Sequence, residues 1–263
     1  MKPLKTTTVI AGLAAMTLLD ISAATPVEAQ GVPNPFAGAY FGGHTGYHTG
    51  DTNFKSAPYI FNGPGDTFPF PGRNDSFDLD GAIIGVHGGY NFVNLSNLLF
   101  GVEGDWTWLG SDDSVSASGA GDGTTNGDGF TFQYRSKVEL EWQGTIRGRL
   151  GFVSGNTLFF ATAGVAFMDV DWSENGTFVN TDTGDTVNVS HSDSDTLIGG
   201  VVGGGIEIAV TPTVIVGADY LYENFESFNS VPFGFEPGLT GKLDDLNVHK
   251  IRARVTIKFG GPQ

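Results

Sequence analysis

The sequence predicts an all-β protein, an eight-stranded antiparallel transmembrane β-barrel, and three observations support this. Eight segments alternate apolar and polar residues with the two-residue period of a β-strand. Short turns and long polar stretches follow one another strictly between these segments. After the first residues, no run is long and apolar enough to form a transmembrane helix. This pattern is typical of a barrel with short periplasmic turns and long extracellular loops.

Composition limits the classes of partner. The chain has 263 residues, with 40 Gly, 21 Phe and no Cys, so disulfides are excluded and an exported protein must be held together by its sheet. The 13 Lys and Arg against 29 Asp and Glu give a formal net charge of -16. This balance argues against a nucleic-acid partner and leaves cationic partners or divalent ions open.

The first 29 residues have the pattern of a secretory signal peptide that is removed from the mature protein. Lys2 and Lys5 precede an apolar run over residues 9–21, which is shorter than the roughly 20 residues that a membrane anchor needs. Small residues follow, and cleavage after Ala29 or after Ala24 fits the pattern. The mature chain is therefore expected to be exported.

The clearest strand is the fourth, over residues 138–152. One parity is apolar, with Leu140, Trp142, Ile146, Leu150 and Phe152; the other is polar, with Glu139, Glu141, Gln143, Thr145, Arg147 and Arg149. A soluble β-sandwich would bury the apolar face. Charges this dense on the other face favour the inverse arrangement, with lipid outside and a polar lumen inside.

The predicted organisation is a short periplasmic lead at residues 30–36, a barrel at 37–259 and a tail at 260–263. The other seven strands are predicted at residues 37–48, 79–92, 98–109, 157–170, 196–210, 214–223 and 246–259. The long loops are predicted at residues 49–76, 110–137, 171–195 and 224–245. In the fifth strand Met168 and Val170 fall out of phase, which predicts a bulge or an early end.

Aromatic residues cluster at both ends of the predicted strands. Those near the loop ends are Trp106, Trp108, Trp142, Tyr220 and Tyr222, and those near the turn ends are Tyr90, Phe92, Phe100, Phe152 and Phe259. Two interfacial girdles require this placement. It favours the membrane barrel over the soluble sandwich.

Five segments carry a family resemblance: AGAYFGGHTGY, WQGTIRGRLGF, LFFATAGVAF, GGVVGGGIEIAVTPTVIVGADYLYENF and KIRARVTIKF. They resemble the small outer-membrane β-barrel family of alphaproteobacteria, which is related to the opacity-type proteins and is known as the outer membrane protein beta-barrel domain. The resemblance covers nearly all the mature chain and implies an eight-stranded, sometimes porin-like, surface protein of the bacterial outer membrane with no catalytic residues. Family chains usually stop at a terminal aromatic residue, which the assembly machinery recognises, whereas here four residues follow Phe259.

Acidic and basic residues are expected to meet inside the lumen. If Leu98 and Phe152 start at the same level, Glu103 and Asp105 lie near Arg147 and Arg149 on the next strand. The same count places Asp219 near Arg252 and Arg254, with Glu207 one strand further round. An unpaired buried charge costs several kcal/mol, so a network that crosses and blocks the lumen is predicted. Separate solvated charges remain the alternative.

No catalytic, cofactor or metal site is predicted. His44, His48, His87, His191 and His249 are scattered in the sequence, without a nucleophile at a recognisable spacing. The Gly-rich strings at residues 121–129 and 199–205 open no helix, so they are weak as phosphate loops. Ion binding at the first string is a minority interpretation.

Two functions stay open. One is a structural and interaction protein, a plugged barrel that displays acidic loops; the other is a small channel for ions or small solutes. An eight-stranded barrel leaves an interior just wide enough for side chains, which favours the first. Expected partners are outer-membrane lipid, lipopolysaccharide and the barrel-assembly machinery. Divalent cations are expected to associate weakly, with no fixed site, with the acidic residues Asp169, Asp171, Glu174, Asp182, Asp185, Asp193 and Asp195.

Overall fold

The structure is a computed structural model that describes residues 34–62, 67–70, 72–93, 97–230, 241–243 and 246–259. The predicted signal peptide and the tail at residues 260–263 lie outside these ranges. In the described part, no helix is long and apolar enough to cross a membrane. The described strands are β1 (Gly38–Ser56), β2 (Tyr59–Asn62), β3 (Thr67–Phe70), β4 (Arg73–Val93), β5 (Leu98–Asp122), β6 (Gly129–Ser154), β7 (Thr157–Asn180), β8 (Thr186–Ala209), β9 (Val214–Phe225), β10 (Phe228–Ser230), β11 (Gly241–Leu243) and β12 (Leu246–Lys258).

Eight of these strands close into one antiparallel ring. Consecutive strands pair from β4 through β9. β9 then pairs with β12, and β12 pairs with β1. The ring closes because β1 also pairs with β4 along its whole length, from Gly38 opposite Asn91 to Ser56 opposite Arg73. The predicted eight-stranded antiparallel barrel is confirmed. We call the end with the short connections the turn end and the opposite end the hairpin end.

The long connections consist mainly of paired strand. β5 to β8 are 24 to 26 residues long, so most of the predicted loops at residues 110–137 and 171–195 continue the ladders. β1 and β4 likewise extend into the region predicted as the first loop. These stretches are polar because both β-faces can meet water beyond a membrane, and their backbone groups are satisfied by the neighbouring strand.

A band of exposed apolar side chains surrounds the ring near the turn end. The girdle residues predicted from the sequence face outward, and ten neighbours from every strand of the ring except β9 complete the band: Phe41, Ile84, Val86, Val102, Ile146, Phe159, Val202, Ile206, Ile251 and Val255. Toward the hairpin end, the band stops at Trp108, Trp142 and Phe167. An outward apolar surface of this extent is suited to lipid, with aromatic residues at its borders.

The polarity of the two faces reverses just above this band, through a bulge in β6. Glu141 and Trp142 of β6 oppose the single residue Asp169 of β7, so the alternation of β6 shifts by one residue. Leu140, predicted to face outward with Trp142, is 2% exposed and points inward; that assignment is wrong. Above the band the outside is water, and an apolar side chain is more stable inside.

The predicted bulge or early end of the fifth strand is also wrong. β7 pairs with β8 in unbroken register from Thr157 to Val179. Met168 and Val170 belong to the inward parity and are buried. They are out of phase with the lipid-facing residues because they lie above the band, where the apolar side is the interior.

Two sheets face each other above the band. The β4–β5 ladder ends at Ile83 opposite Leu109, and the β8–β9 ladder ends at Gly199 opposite Phe225. Beyond these pairs, β5 to β8 form one sheet and β1 with β4 form the other. Trp172 joins them, with its ring 4.7 Å from that of Phe54 and 5.7 Å from that of Phe77. The hairpin end therefore has an apolar core of its own.

Candidate functional site

The lumen is filled in layers. At the turn end, Phe36 packs in an apolar layer with Leu99, Leu158 and Phe160. A layer of charged side chains lies above it, at the level of the apolar band. The apolar core around Trp172 then covers the charged layer from the hairpin side.

The observed register explains why the charges meet. Leu98 of β5 lies opposite Phe152 of β6, and counting up from this pair places Glu103 opposite Arg147. On the other side of the ring, Asp219 of β9 lies opposite Arg252 of β12. The structure brings together all eight lumen residues selected from the sequence: Glu103, Asp105, Arg147, Arg149, Glu207, Asp219, Arg252 and Arg254.

Glu103 is the centre of this network. Its carboxylate lies 2.6 Å from Nη2 of Arg147, 3.1 Å from Nη1 of Arg149 and 2.5 Å from Nη2 of Arg254. The Tyr40 hydroxyl also donates to it, at 2.8 Å. These partners lie on β1, β6 and β12, so one carboxylate on β5 connects strands across the lumen.

Asp105 and Asp219 connect the remaining cations. Arg252 makes a two-point contact with Asp219, with Nε at 2.8 Å and Nη2 at 2.7 Å, and Arg254 reaches the same carboxylate at 2.8 Å. Asp105 lies 2.6 Å from Arg147 and 3.4 Å from Arg252. Bidentate Arg–carboxylate pairs fix orientation as well as charge.

Glu207 pairs with Arg149 at 2.9 Å and with Arg254 at 3.4 Å. The Arg149 guanidinium also lies 4.2 Å from the centre of the Phe160 ring. That ring needs the space beside Gly205, where an added Cβ would come within 2.8 Å of it. A glycine on the inward face of β8 thus gives room for the aromatic ring that supports Arg149.

Four members of the layer lie outside the set that the sequence predicts. Lys250 pairs with Glu223 at 3.0 Å, and Gln143 donates to Glu223 at 2.6 Å. Tyr40 bridges Arg149 and Glu103. Lys250 has the same inward parity on β12 as Arg252, and Glu223 has the same inward parity on β9 as Asp219, so the sequence pattern could have placed both in the lumen. The contact of Gln143 with Glu223 spans the lumen and depends on how the ring closes.

The layer is electrically balanced. Its acids are Glu103, Asp105, Glu207, Asp219 and Glu223, and its cations are Arg147, Arg149, Lys250, Arg252 and Arg254, which makes five of each. Every one of these side chains is at most 3% exposed. Removing one partner from such a set leaves an uncompensated buried charge, which costs several kcal/mol. The arrangement can fill the lumen and hold in register the five strands that carry these charges, which are β5, β6, β8, β9 and β12.

Two of the histidines are not scattered, contrary to the sequence-based interpretation. Nδ1 of His44 lies 3.4 Å from Nδ1 of His87, and their Nε2 atoms contact the hydroxyls of Thr107 and Thr256 at 3.0 and 2.8 Å. The strands β1 and β4 bring them together, because Gly42 lies opposite His87 and His44 opposite Gly85. Both rings are buried in the lumen.

A second polar contact lies at the hairpin end. Arg73 contacts Glu174 at 2.6 Å and Asp75 at 2.5 Å, and its guanidinium lies 4.0 Å from the centre of the Tyr134 ring. Glu174 is one of the seven acidic residues at which divalent cations are expected to associate. Its side chain is buried and paired with Arg73, which lies 101 positions away in sequence, so it does not face the medium with the others.

The outward face carries an acidic cluster just above the apolar band. The nearby Asp171 carboxylate raises the pKa of Glu141. Partial burial, together with Asp171, raises the pKa of Asp169. Within the described ranges, no group of three or more His, Asp or Glu side chains is arranged to hold a metal ion.

Comparison with known proteins gives the same assignment as the fold. The family model of the outer membrane protein beta-barrel domain matches residues 11–259. The chain is 27% identical over 226 residues to the 31 kDa outer-membrane immunogenic protein of Brucella melitensis, covering 85% of this chain and 84% of the relative. It is 28% identical over 202 residues to a 22 kDa outer membrane protein of Rhizobium leguminosarum, covering 77% of this chain and 69% of the relative.

Solved structures of low sequence identity are also similar. Neisserial surface protein A is 14% identical, with a TM-score of 0.32 over 84% of this chain and 99% of that protein. The outer membrane protease OmpT from Escherichia coli is 10% identical, with a TM-score of 0.43 over 87% of this chain and 98% of the protease. The family match, together with the closed ring and its apolar band, leads to one conclusion: the chain belongs to the outer membrane protein beta-barrel domain family and lies in the bacterial outer membrane.

Proposed function

We propose that the protein is a structural and surface-interaction barrel, with a lumen plugged by ion pairs and two extracellular sheets displayed to the environment. The observation that carries the proposal is the balanced layer of five acids and five cations around Glu103. An eight-stranded barrel is only wide enough for its own side chains. Here those side chains bind one another across the lumen, and apolar layers lie on both sides.

The proposal includes the surroundings of the barrel. The apolar band binds outer-membrane lipid, and lipopolysaccharide surrounds its upper border near Trp108 and Trp142. The barrel-assembly machinery inserts the chain. Divalent cations associate weakly with the exposed carboxylates of the β7–β8 hairpin. A divalent ion near several carboxylates also attracts lipopolysaccharide phosphates.

No catalytic step is part of the proposal. The histidine pair, His44 and His87, is buried in the lumen and bonded to threonine hydroxyls. A general base must reach the proton that it abstracts in a bound substrate. The pair lies at the level of the charged layer, since His44 is opposite Arg254 and His87 is opposite Asp105. The apolar layers on both sides separate it from substrates at either end.

Conductance of the refolded protein in planar bilayers tests the proposal. The wild-type barrel should show no steady current, whereas Arg147→Ala should open a measurable conductance, because it removes a cation that bridges Glu103 and Asp105. Heat-modifiable mobility on gels verifies that each sample is a closed barrel. A large, steady wild-type current that the substitution leaves unchanged would show a true pore and favour the channel function.

A further inference from the structure

A shallow polar groove crosses the outward face of β5 to β8, in the part above the apolar band. Its volume is about 730 Å³. The backbone of Ala117, Tyr134, Gly176 and Val189 forms its floor, since the side chains of Ala117, Tyr134 and Val189 alternate to the opposite face and Gly176 has none. Two cross-strand rows border it: Ser116, Arg135, Asn175 and Ser190, and Ser118, Gln133, Thr177 and Asn188.

Every side chain of the two rows can form hydrogen bonds. They carry hydroxyl, amide or guanidinium groups, which provide both donors and acceptors. Thr177 donates to Asn188 at 2.9 Å, and Arg135 donates to Ser114 at 3.0 Å. Within the described residues, the amides of Gln133 and Asn175 have no side-chain partner of their own. The groove therefore presents unused hydrogen-bonding capacity to the external medium.

Charge restricts the ligand. Arg135 is the one charged residue of the two rows, and no carboxylate lies in them. The sheet nearer the band carries Asp112, Glu139 and Asp171 on the same outward face. An anionic polymer would be repelled by these acids, and a cation would find no carboxylate in the groove itself and would meet the positive charge of Arg135. A neutral polar molecule is neither repelled by the acids nearer the band nor in need of a carboxylate in the groove.

The spacing restricts the shape of that molecule. Neighbouring strands lie about 4.8 Å apart, which is close to the length of one sugar ring in an extended chain. The rows run across four strands and lie two residues apart along each strand, or about 7 Å. A chain of sugar rings in the groove would meet one pair of hydrogen-bonding side chains for each strand that it crosses.

We propose that the polar groove binds an extended neutral oligosaccharide of about four sugar units, one for each strand. Amides and hydroxyls of both rows bond its hydroxyl groups, and Arg135 donates from β6, one of the two middle strands of the groove, to a ring or glycosidic oxygen. The inference rests on the proposed display function and deepens it, because it names a ligand class for the displayed sheet. A rigid four-stranded sheet holds the rows in place before a ligand arrives.

Titration calorimetry of the full chain, refolded in detergent, tests this inference with two probes. Cellohexaose is neutral and extended, and a heparin hexasaccharide is anionic and of equal length. Cellohexaose should bind to wild type at millimolar concentration and bind more tightly than the heparin probe. Gln133→Ala combined with Asn175→Ala should weaken cellohexaose at least tenfold, and Gln133→Ala alone should weaken it several-fold.

Asn53→Ala is the matched control, since Asn53 is also an amide outside the band but lies on the other sheet, where Ser76 donates to it. It should leave binding unchanged, and heat-modifiable mobility should verify folding of all variants. Absence of cellohexaose binding, tighter heparin binding, or an equal loss in Asn53→Ala would overturn the inference. If the wild-type barrel neither conducts nor binds cellohexaose, the oligosaccharide inference fails and the proposal of a plugged barrel stands.

Discussion

Replacing Arg147 by alanine isolates the contribution of the charged layer to stability. The change removes two contacts of 2.6 Å, to Glu103 and to Asp105. Glu103 keeps Arg149 and Arg254, but Asp105 keeps only Arg252 at 3.4 Å among the cations, with the Thr145 hydroxyl at 2.6 Å. The layer is left with four cations and five acids, and the excess charge is buried at Asp105.

Breaking a buried ion pair costs about 3 to 5 kcal/mol. Since Glu103 retains two cations, we expect the lower end, about 3 kcal/mol, which is a change of roughly a hundredfold in the folding equilibrium. Urea unfolding of the refolded protein in lipid vesicles measures it. Arg135→Ala is the matched control, because the exposed Arg135 bonds only to Ser114 among the described residues, and its loss should cost less than about 1 kcal/mol.

A second substitution separates charge imbalance from lost packing. Combining Arg147→Ala with Asp105→Asn leaves four acids and four cations in the charged layer. The double variant should therefore have a larger free energy of unfolding than Arg147→Ala alone. If Arg147→Ala costs no more than Arg135→Ala, or if the added Asp105→Asn gives no recovery, the charged layer does not stabilise the barrel as argued.

Three further predictions concern the extracellular part. Asp171→Asn should raise the urea midpoint at pH 7, because Asp171 raises the pKa of Glu141 and contributes to the raised pKa of Asp169. A carboxyl whose pKa is raised in the folded state contributes stability at low pH that is lost as the pH rises, so the difference in midpoint between variant and wild type should vanish near pH 4. A difference that does not depend on pH would contradict this cause. Trp172→Ala should cost about 3 to 5 kcal/mol of the stability of the two-sheet core and speed extracellular proteolysis, whereas Trp108→Ala on the outward face should not; equal rates would show that Trp172 does not join the sheets. Calcium or magnesium should slow proteolysis of the β7–β8 hairpin, whose exposed or half-buried acids are Asp169, Asp171, Asp182, Asp185, Asp193 and Asp195, and unchanged cleavage would reject cation association.

The sequence predicts the ring well because lipid imposes a simple rule on one face. Among the described residues of the apolar band, the outward ones are apolar or glycine except Thr45, and the inward parity then identifies Glu103, Arg147 and Arg252 without a structure. The short turns also fix the register of β5 and β6. Leu98 follows one short turn and Phe152 precedes the next, so the two residues lie opposite each other at the turn end, and the charged residues further along the two strands are neighbours.

The same rule fails above the band because water lies outside there. Leu140 is apolar and would suit lipid or an interior, so sequence alone cannot place the bulge at Glu141 and Trp142. Contacts that cross the interior depend on how the ring closes. The pair Arg73 and Glu174 and the bond from Gln143 to Glu223 are of this kind, and no local pattern predicts them.

The distribution of the lumen charges along the chain has a consequence for assembly. All five acids and two of the cations, Arg147 and Arg149, lie on strands that precede β12. Lys250, Arg252 and Arg254 all lie on β12, the last strand. Until β12 joins, the interior surface carries an excess of three negative charges, five minus two. Neutralisation and ring closure are therefore the same event, and an intermediate that lacks its final strand has a strong electrostatic reason to stay open and hydrated.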